Sequence, residues 1–248
     1  MNRKWTKWKI AVIAVAILAA VNVLVAVGGD DYLRSFASGV RMHGRWIADD
    51  VKWKFKKDSS EYAANSWGCI NGQLYYFDSQ GHMVTGWRQI NGQWYYFDPA
   101  RDSGEGKMRI GWVKDPSYDA WFYLNENGMM VADWRQIGND WYYFHPVSDG
   151  RKGVMETGWK SAGGEWYYLD PSGGSSEGKM RTGWILDPSY NAWFYCDASG
   201  KMLTGWQQIN GKWYYLNPVS DGTRGAMAAN TYVDGYHVGA DGAWVTSY

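Results

Sequence analysis

The stretch Gly86-Trp87-Arg88-Gln89-Ile90-Asn91-Gly92-Gln93-Trp94-Tyr95-Tyr96-Phe97-Asp98 decides the fold. Two aromatic and β-branched runs flank Asn91-Gly92. Asn-Gly is the pair that a type I′ turn asks for, because both central residues need φ > 0. The stretch therefore reads as a tight β-hairpin. Asn71-Gly72 and Asn210-Gly211 repeat the device, and Gly163-Gly164 is a close chemical substitute. After the second strand comes a polar return containing a glycine, then a methionine, as in Asp78 to Met83 and Asp197 to Met202.

Outward from this hairpin the pattern recurs. Units open at Trp67, Trp87, Trp112, Trp134, Trp159, Trp184 and Trp206, and each opener is followed by a second aromatic run ending in Tyr76, Tyr96, Tyr123, Tyr143, Tyr168, Tyr195 or Tyr215. A repeat of this length means stacked supersecondary units. Longer returns at Asp98 to Met108, His145 to Met155, Asp170 to Met180 and Asn217 to Met227 are themselves periodic. Residues 87–158 align without a gap on 159–230, with Asp115-Pro116-Ser117-Tyr118 falling on Asp187-Pro188-Ser189-Tyr190. A three-hairpin cassette has been duplicated. Blurred copies extend the array at both ends, as capping units do. The expected fold is an all-β, β-hairpin repeat solenoid over 44–248, with degenerate caps at 44–66 and 231–248, preceded by a linker at 29–43 and an N-terminal hydrophobic export segment.

That front segment, 1–28, carries Arg3, Lys4, Lys7 and Lys9 with no acid, and residues 10–27 are uncharged. It reads as a signal peptide, with Ala26 and Gly28 at the −3 and −1 positions of a cleavage site, or as an N-terminal membrane anchor through residues 10–27 if uncleaved. Either way the basic flank stays inside and the repeats are exported, to the cell surface, the cell wall or the medium. The full chain holds 25 Lys+Arg and 25 Asp+Glu; without the four basic residues of the leader it holds 21 against 25. This mild acidity excludes nucleic acid, which asks for a basic stripe.

Little in the chain points to chemistry. Cys69 and Cys196 fall in distant hairpins and read as two isolated thiols. His43, His82, His145 and His237 are scattered, and none pairs with a Cys, Asp or Glu at metal-ligand spacing. The acids cluster in turns, where Asp is favoured for backbone reasons, and a P-loop is absent. No catalytic residue, metal or cofactor is expected.

Two readings compete for the aromatics. A hairpin of this size cannot bury a core alone, so Trp and Tyr supply the apolar area that holds neighbours together. A strand also alternates faces, so Trp94 and Tyr96 point one way and Tyr95 the other. One set can then pack inside while the other lines a groove between hairpins, where rings and a Met would cage a quaternary ammonium ion by cation–π attraction.

The unit G-W-x-x-x-x-G-x-W-Y-Y-F-D-x-x-G-x-M-x-T-G, nearly spelled out by Gly86 to Asp98 and by Leu74 to Gly86, resembles the choline-binding or cell-wall-binding repeat of Gram-positive surface proteins. The resemblance covers Gly44 to Tyr248. It implies a solenoid of stacked hairpins that holds choline on teichoic acids, with two Trp from one hairpin and a Tyr from the next. Carried over by position, it implies cages of Trp87, Trp94 and Tyr123; Trp112, Trp121 and Tyr143; Trp134, Trp141 and Tyr168; Trp159, Trp166 and Tyr195; and Trp184, Trp193 and Tyr215. Leu74 stands where the second Trp of its unit belongs. The implied partner is choline-bearing teichoic acid or a cell-wall glycan, reached by a non-catalytic envelope-binding module. The alternatives are a glucan- or glycan-binding lectin-like module, an accessory part of a wall-remodelling system, and a structural spacer whose aromatics are all core.

Overall fold

The computed structural model describes residues 29–49 and 52–245, so the leader at 1–28 and the export reading that rests on it lie outside the described residues. The chain forms two compact units, Met1–Val131 and Ala132–Tyr248. In the first, helix α1 (Gly29–Gly39) precedes four hairpins: β1 (Gly44–Asp49) with β2 (Lys52–Lys57), β3 (Ser66–Ile70) with β4 (Gln73–Phe77), β5 (Gly86–Ile90) with β6 (Gln93–Phe97), and β7 (Gly111–Asp115) with β8 (Ala120–Leu124). The second holds five: β9 (Asp133–Ile137) with β10 (Asp140–Phe144), β11 (Gly158–Ala162) with β12 (Glu165–Leu169), β13 (Gly183–Asp187) with β14 (Ala192–Cys196), β15 (Gly205–Ile209) with β16 (Lys212–Leu216), and β17 (Thr231–Val233) with β18 (Tyr236–Val238). All-β hairpin repeats are what the sequence predicts.

The turn chemistry accounts for the hairpins. Asn91 and Gly92 take φ of 50° and 81°, and Asn210 and Gly211 take 50° and 82°, both residues of each pair being left-handed as a type I′ turn demands. The register that follows sets Trp87 opposite Tyr96 and Gln89 opposite Trp94, and it recurs in β11 and β12, where Trp159 faces Tyr168 and Ser161 faces Trp166.

Each hairpin is its own two-stranded sheet, so something other than a shared ladder must join neighbours. Methionines do this. The Met130 N–H donates to the Trp94 carbonyl of the preceding hairpin at 2.8 Å, and Met202 donates in the same way to Trp166 at 2.8 Å. Each such Met also bridges the last residue of its own second strand, Leu124 for Met130 and Cys196 for Met202. Those last residues form the innermost core of each unit, Phe77, Phe97 and Leu124 in the first, where Phe55 from within β2 joins them, and Phe144, Leu169, Cys196, Leu216 and Val238 in the second, all buried. Cys196 thus occupies a Leu or Phe position, and burial pushes its thiol up to about 12. Both cysteines are free.

Residues 29–43, read as a linker, hold helix α1. Its Phe36 meets Trp67 edge-on at 5.7 Å, and Met42 and Cys69 exchange strand-like bonds with Cys69 and Val40. Leu33, Phe36 and Val40 supply the apolar spacing, too short a signal to stand out in the sequence. Among the described residues no helix is long and apolar enough to cross a membrane.

Candidate functional site

The aromatic grouping follows from period-two geometry. Trp87, Trp94 and Tyr96 share one face of their hairpin, and that face meets the opposite face of the next hairpin, which carries the first ring of its aromatic pair. Trp87 accordingly packs on its own Tyr96 at 4.9 Å and on Phe122 of the next hairpin at 4.8 Å. The same triplet recurs as Trp134 with Tyr143 and Tyr167, at 4.9 and 4.7 Å, and as Trp159 with Tyr168 and Phe194, both at 4.9 Å. Trp184 with Tyr195 and Tyr214 continues the series at 5.1 and 4.8 Å, as do Trp67 with Tyr76 and Tyr95 and Trp206 with Tyr215 and Tyr236.

Where the next-hairpin contact is described, the ring on the opening Trp is one residue before the expected tyrosine. Each tyrosine placed in a neighbour's cage stands against the opening Trp of its own hairpin instead: Tyr123 on Trp112, Tyr143 on Trp134, Tyr168 on Trp159, Tyr195 on Trp184 and Tyr215 on Trp206. Trp112 and Trp121 lie in the first unit, their rings 6.2 Å apart, and Tyr143 in the second. Which face of the next hairpin turns toward the groove depends on the path of the return, and the Tyr-Tyr doublet alone does not show it.

Three open-sided pockets display the result. Trp159, Trp166, Phe194 and Met202 line one of about 260 Å³, with Tyr190, Ser220, Gly222 and Arg224 around them. Trp206, Trp213, Tyr236 and Trp244 line another of about 350 Å³. Trp46, Trp53, Tyr75 and Met83 line a third of about 380 Å³, rimmed by Arg101, Asp102, Ser103 and Glu105. The wall set is constant: two aromatics from one hairpin, one ring from the second strand of the next, and the side chain at the methionine position. Trp244 fills that last position in the final pocket, its N–H donating to Trp213. Both terminal pockets draw two walls from regions read as degenerate caps, Trp46 and Trp53 at one end and Tyr236 and Trp244 at the other, so the blurred turn chemistry there hid intact walls. Six second-strand tryptophans, Trp53, Trp94, Trp141, Trp166, Trp193 and Trp213, are exposed, whereas Trp121 is half-buried. Trp166 is 38% exposed, Trp141 42% and Trp213 39%, values that a core tryptophan would not show.

Asp115, Asp187 and Asp234, read as turn residues, have a second role. The Trp87 indole N–H donates to Asp115 at 2.8 Å, Trp159 to Asp187 at 2.8 Å, and Trp206 to Asp234 at 2.9 Å. In the Asp-Pro-Ser-Tyr turns the other carboxylate oxygen accepts the Ser117 or Ser189 N–H, which fixes the acid. Asp115 and Asp187 are buried, and each places a negative charge beside a wall ring. The phenol of Tyr168 is shifted up, first by burial and then by Asp187 and Asp170. The same turns set Tyr118 on Phe122 and Tyr190 on Phe194, at 5.5 and 5.6 Å.

Folding also pairs a histidine that the sequence leaves alone. His145 reaches Glu156 and Asp149 at 2.9 Å each, while Lys160 meets Glu156 at 2.6 Å. Burial acts to raise the Glu156 carboxyl, but Lys160, His145 and Arg151 hold it below its ordinary range. This is an ion-pair cluster that holds a long return. Among the described residues no group of His, Cys, Asp or Glu could hold a metal ion.

Family models described as choline-binding repeat match residues 64–105, 84–134 and 131–176, and another matches 205–244; one described as putative cell wall binding repeat matches 182–202. Among solved structures, choline binding protein F from Streptococcus pneumoniae, with a peptidoglycan analogue, is 31% identical, at a TM-score of 0.56 over 81% of this chain and 79% of that one. The chain belongs to the choline-binding repeat family. Choline-binding protein CbpF in complex with ipratropium aligns at 31% identity and a TM-score of 0.54, over 81% of this chain and 78% of that chain. The modular autolysin LytC from Streptococcus pneumoniae aligns at 29% identity and 0.57, over 82% of this chain but 42% of its own. Curated protein sequences give no match. Within this family member, the binding-type architecture rests on the walls just described, and their methionines and first-ring aromatics are the residues that the repeat pattern underplayed.

Proposed function

We propose that this chain is an exported, non-catalytic module that attaches to the cell envelope by holding choline groups in its aromatic pockets, with residues 1–28 acting as signal peptide or anchor. The observation that carries the reading is the open second tryptophan, repeated at one register beside a fixed wall set. Rings with their faces turned to a gap of a few hundred cubic ångströms offer negative quadrupoles to a compact cation, worth about 0.5 to 2 kcal/mol per ring. The buried Asp187 and the exposed Asp234 each accept a wall indole N–H and add negative charge beside two of these walls. Ipratropium, the compound in one CbpF structure, is itself a quaternary ammonium ion. Each pocket alone would bind choline at about millimolar strength, and several linked pockets supply the hold by avidity.

The site assignment is tested through the indole N–H resonances of Trp159 and Trp166. Phe194→Leu keeps most of the buried volume but removes a ring, and it is expected to weaken choline at this pocket about fivefold to tenfold. Tyr195→Ala acts on the Trp184 wall and should leave the Trp166 titration within about twofold. The opposite ranking would return the tyrosine of the second position to the pocket.

A further inference from the structure

Charge is unevenly spread along the chain. Of the 21 Lys+Arg and 25 Asp+Glu that follow the leader, residues 41–57 hold six bases and two acids, while residues 58–248 hold 14 and 21. The six are Arg41, Arg45, Lys52, Lys54, Lys56 and Lys57, and five of them lie on the β1–β2 hairpin.

The register gathers them. Arg45 stands opposite Lys56, Ile47 opposite Lys54 and Asp49 opposite Lys52, and because side chains alternate along a strand, these six residues share one face. The other face supplies Phe55 to the core and Trp46 and Trp53 to their pocket. Arg41, Arg45 and Lys52 are exposed. Among the described residues only Lys54 and Lys57 of this group make ion pairs, with Asp49 at 2.7 Å and Glu61 at 3.8 Å, and Lys56 lies 6.0 Å from the Tyr62 ring. Arg45 directly across from Lys56 is a like-charge pair, which weakens a hairpin in water. An anionic partner would relieve it.

Position in the chain selects the partner. Only residues 28–43 separate the hairpin from the uncharged stretch 10–27, and 11 of them form helix α1. Held in a membrane by that stretch, the chain would keep this face within about 35 Å of the lipid headgroups. A polyanion that followed the repeats beyond the hairpin would meet their surplus of acid instead.

We infer that this face of the β1–β2 hairpin docks on anionic phospholipid headgroups, with Arg41, Arg45, Lys52 and Lys56 meeting the lipid phosphates, on the reading that residues 1–28 bring the chain to a membrane. Basic clusters beside a membrane segment are drawn to anionic lipid, and salt screens the attraction. The aromatic pockets take no part.

Full chain is assembled into nanodiscs of phosphatidylethanolamine, with and without phosphatidylglycerol, so that no lipid carries choline. Reductive methylation of lysines, read residue by residue by mass spectrometry, reports what is covered. Lys52 and Lys56 are expected to react about threefold to tenfold more slowly on the phosphatidylglycerol discs at low ionic strength and to recover in high salt, while Lys114 in the same unit stays within about twofold. Arg41→Glu combined with Arg45→Glu changes two exposed positions, sets a carboxylate opposite Lys56, which favours the hairpin, and should remove most of the protection. Equal reactivity of Lys52 and Lys56 on both discs, equal slowing of Lys114, or protection unchanged in the variant would each overturn the docking face. Protection by soluble poly(glycerol phosphate) without protection on the anionic discs would overturn it in favour of a wall polymer. Recovery of the chain apart from the neutral discs would overturn the anchor reading alone, because lysine protection on the anionic discs still decides the face.

Discussion

Replacing Phe97 with alanine is expected to lower stability by about 3 to 5 kcal/mol, the range for deleting a buried aromatic side chain. Phe97 closes β6 with no exposed surface. It packs with Val84 and Ile90 against Trp67, Tyr95 and Met108, and its ring lies 5.6 Å from that of Trp67. Because a single hairpin has no core of its own, these contacts are what stacks one repeat on the next. Urea unfolding followed by tryptophan fluorescence should show a lower midpoint in the transition that includes the Trp67 and Trp87 hairpins. Phe97→Leu should cost far less, since Leu124, Leu169 and Leu216 fill the same position in other repeats. Arg88→Ala, exposed on the same hairpin, should stay within about 0.5 kcal/mol. An unshifted midpoint for Phe97→Ala would remove this position from the core.

Gly200→Ala should cost about 2 to 4 kcal/mol, from a left-handed backbone that alanine adopts poorly together with overpacking. Gly200 has φ +82°, and an added Cβ would stand 2.3 Å from the Met180 sulfur and 2.9 Å from its Cγ. Gly211 shares φ +82° but has nothing within 4 Å, so Gly211→Ala isolates the backbone part, about 1 kcal/mol. The difference between the two variants measures the glycine–methionine contact. Met180 also donates its N–H to Trp141, so Gly200→Ala should loosen the Trp134 and Trp141 walls and weaken choline there, while Gly211→Ala should not. Equal destabilisation by both would show that the methionine moves aside freely.

Most of the fold was legible because its signals are local. Asn91-Gly92 selects a type I′ turn by itself, and the repetition of Trp at one spacing makes each hairpin a copy of the last. The joining of hairpins was less legible, since the Met130 N–H finds the Trp94 carbonyl across the chain and the residues around Met130 do not mark it. Site legibility divides on the same line. Trp159 and Trp166, which line one pocket, were readable from the repeat. The ring that the next hairpin lays on the opening Trp depends on which of its faces turns inward, and it is Phe122 on Trp87 and Phe194 on Trp159. Asp115 and Asp187 looked like ordinary turn acids because the indole each one accepts from lies 28 residues earlier in the chain. Helix α1 and the pocket at Trp46, Trp53, Tyr75 and Met83 escaped because they sit where the repeat is blurred.

Choline and a neutral glucan separate the two chemistries that stacked tryptophans can serve, since a cage needs positive charge and a stacking site needs a flat apolar sugar face. The decisive measurement is competitive elution of the full chain from choline-bearing cell walls. Choline should release the protein at millimolar concentration, about the strength of an isolated cation–π pocket, and dextran should leave it bound. Release by dextran with retention in choline would contradict the cage account and identify the pockets as sugar sites.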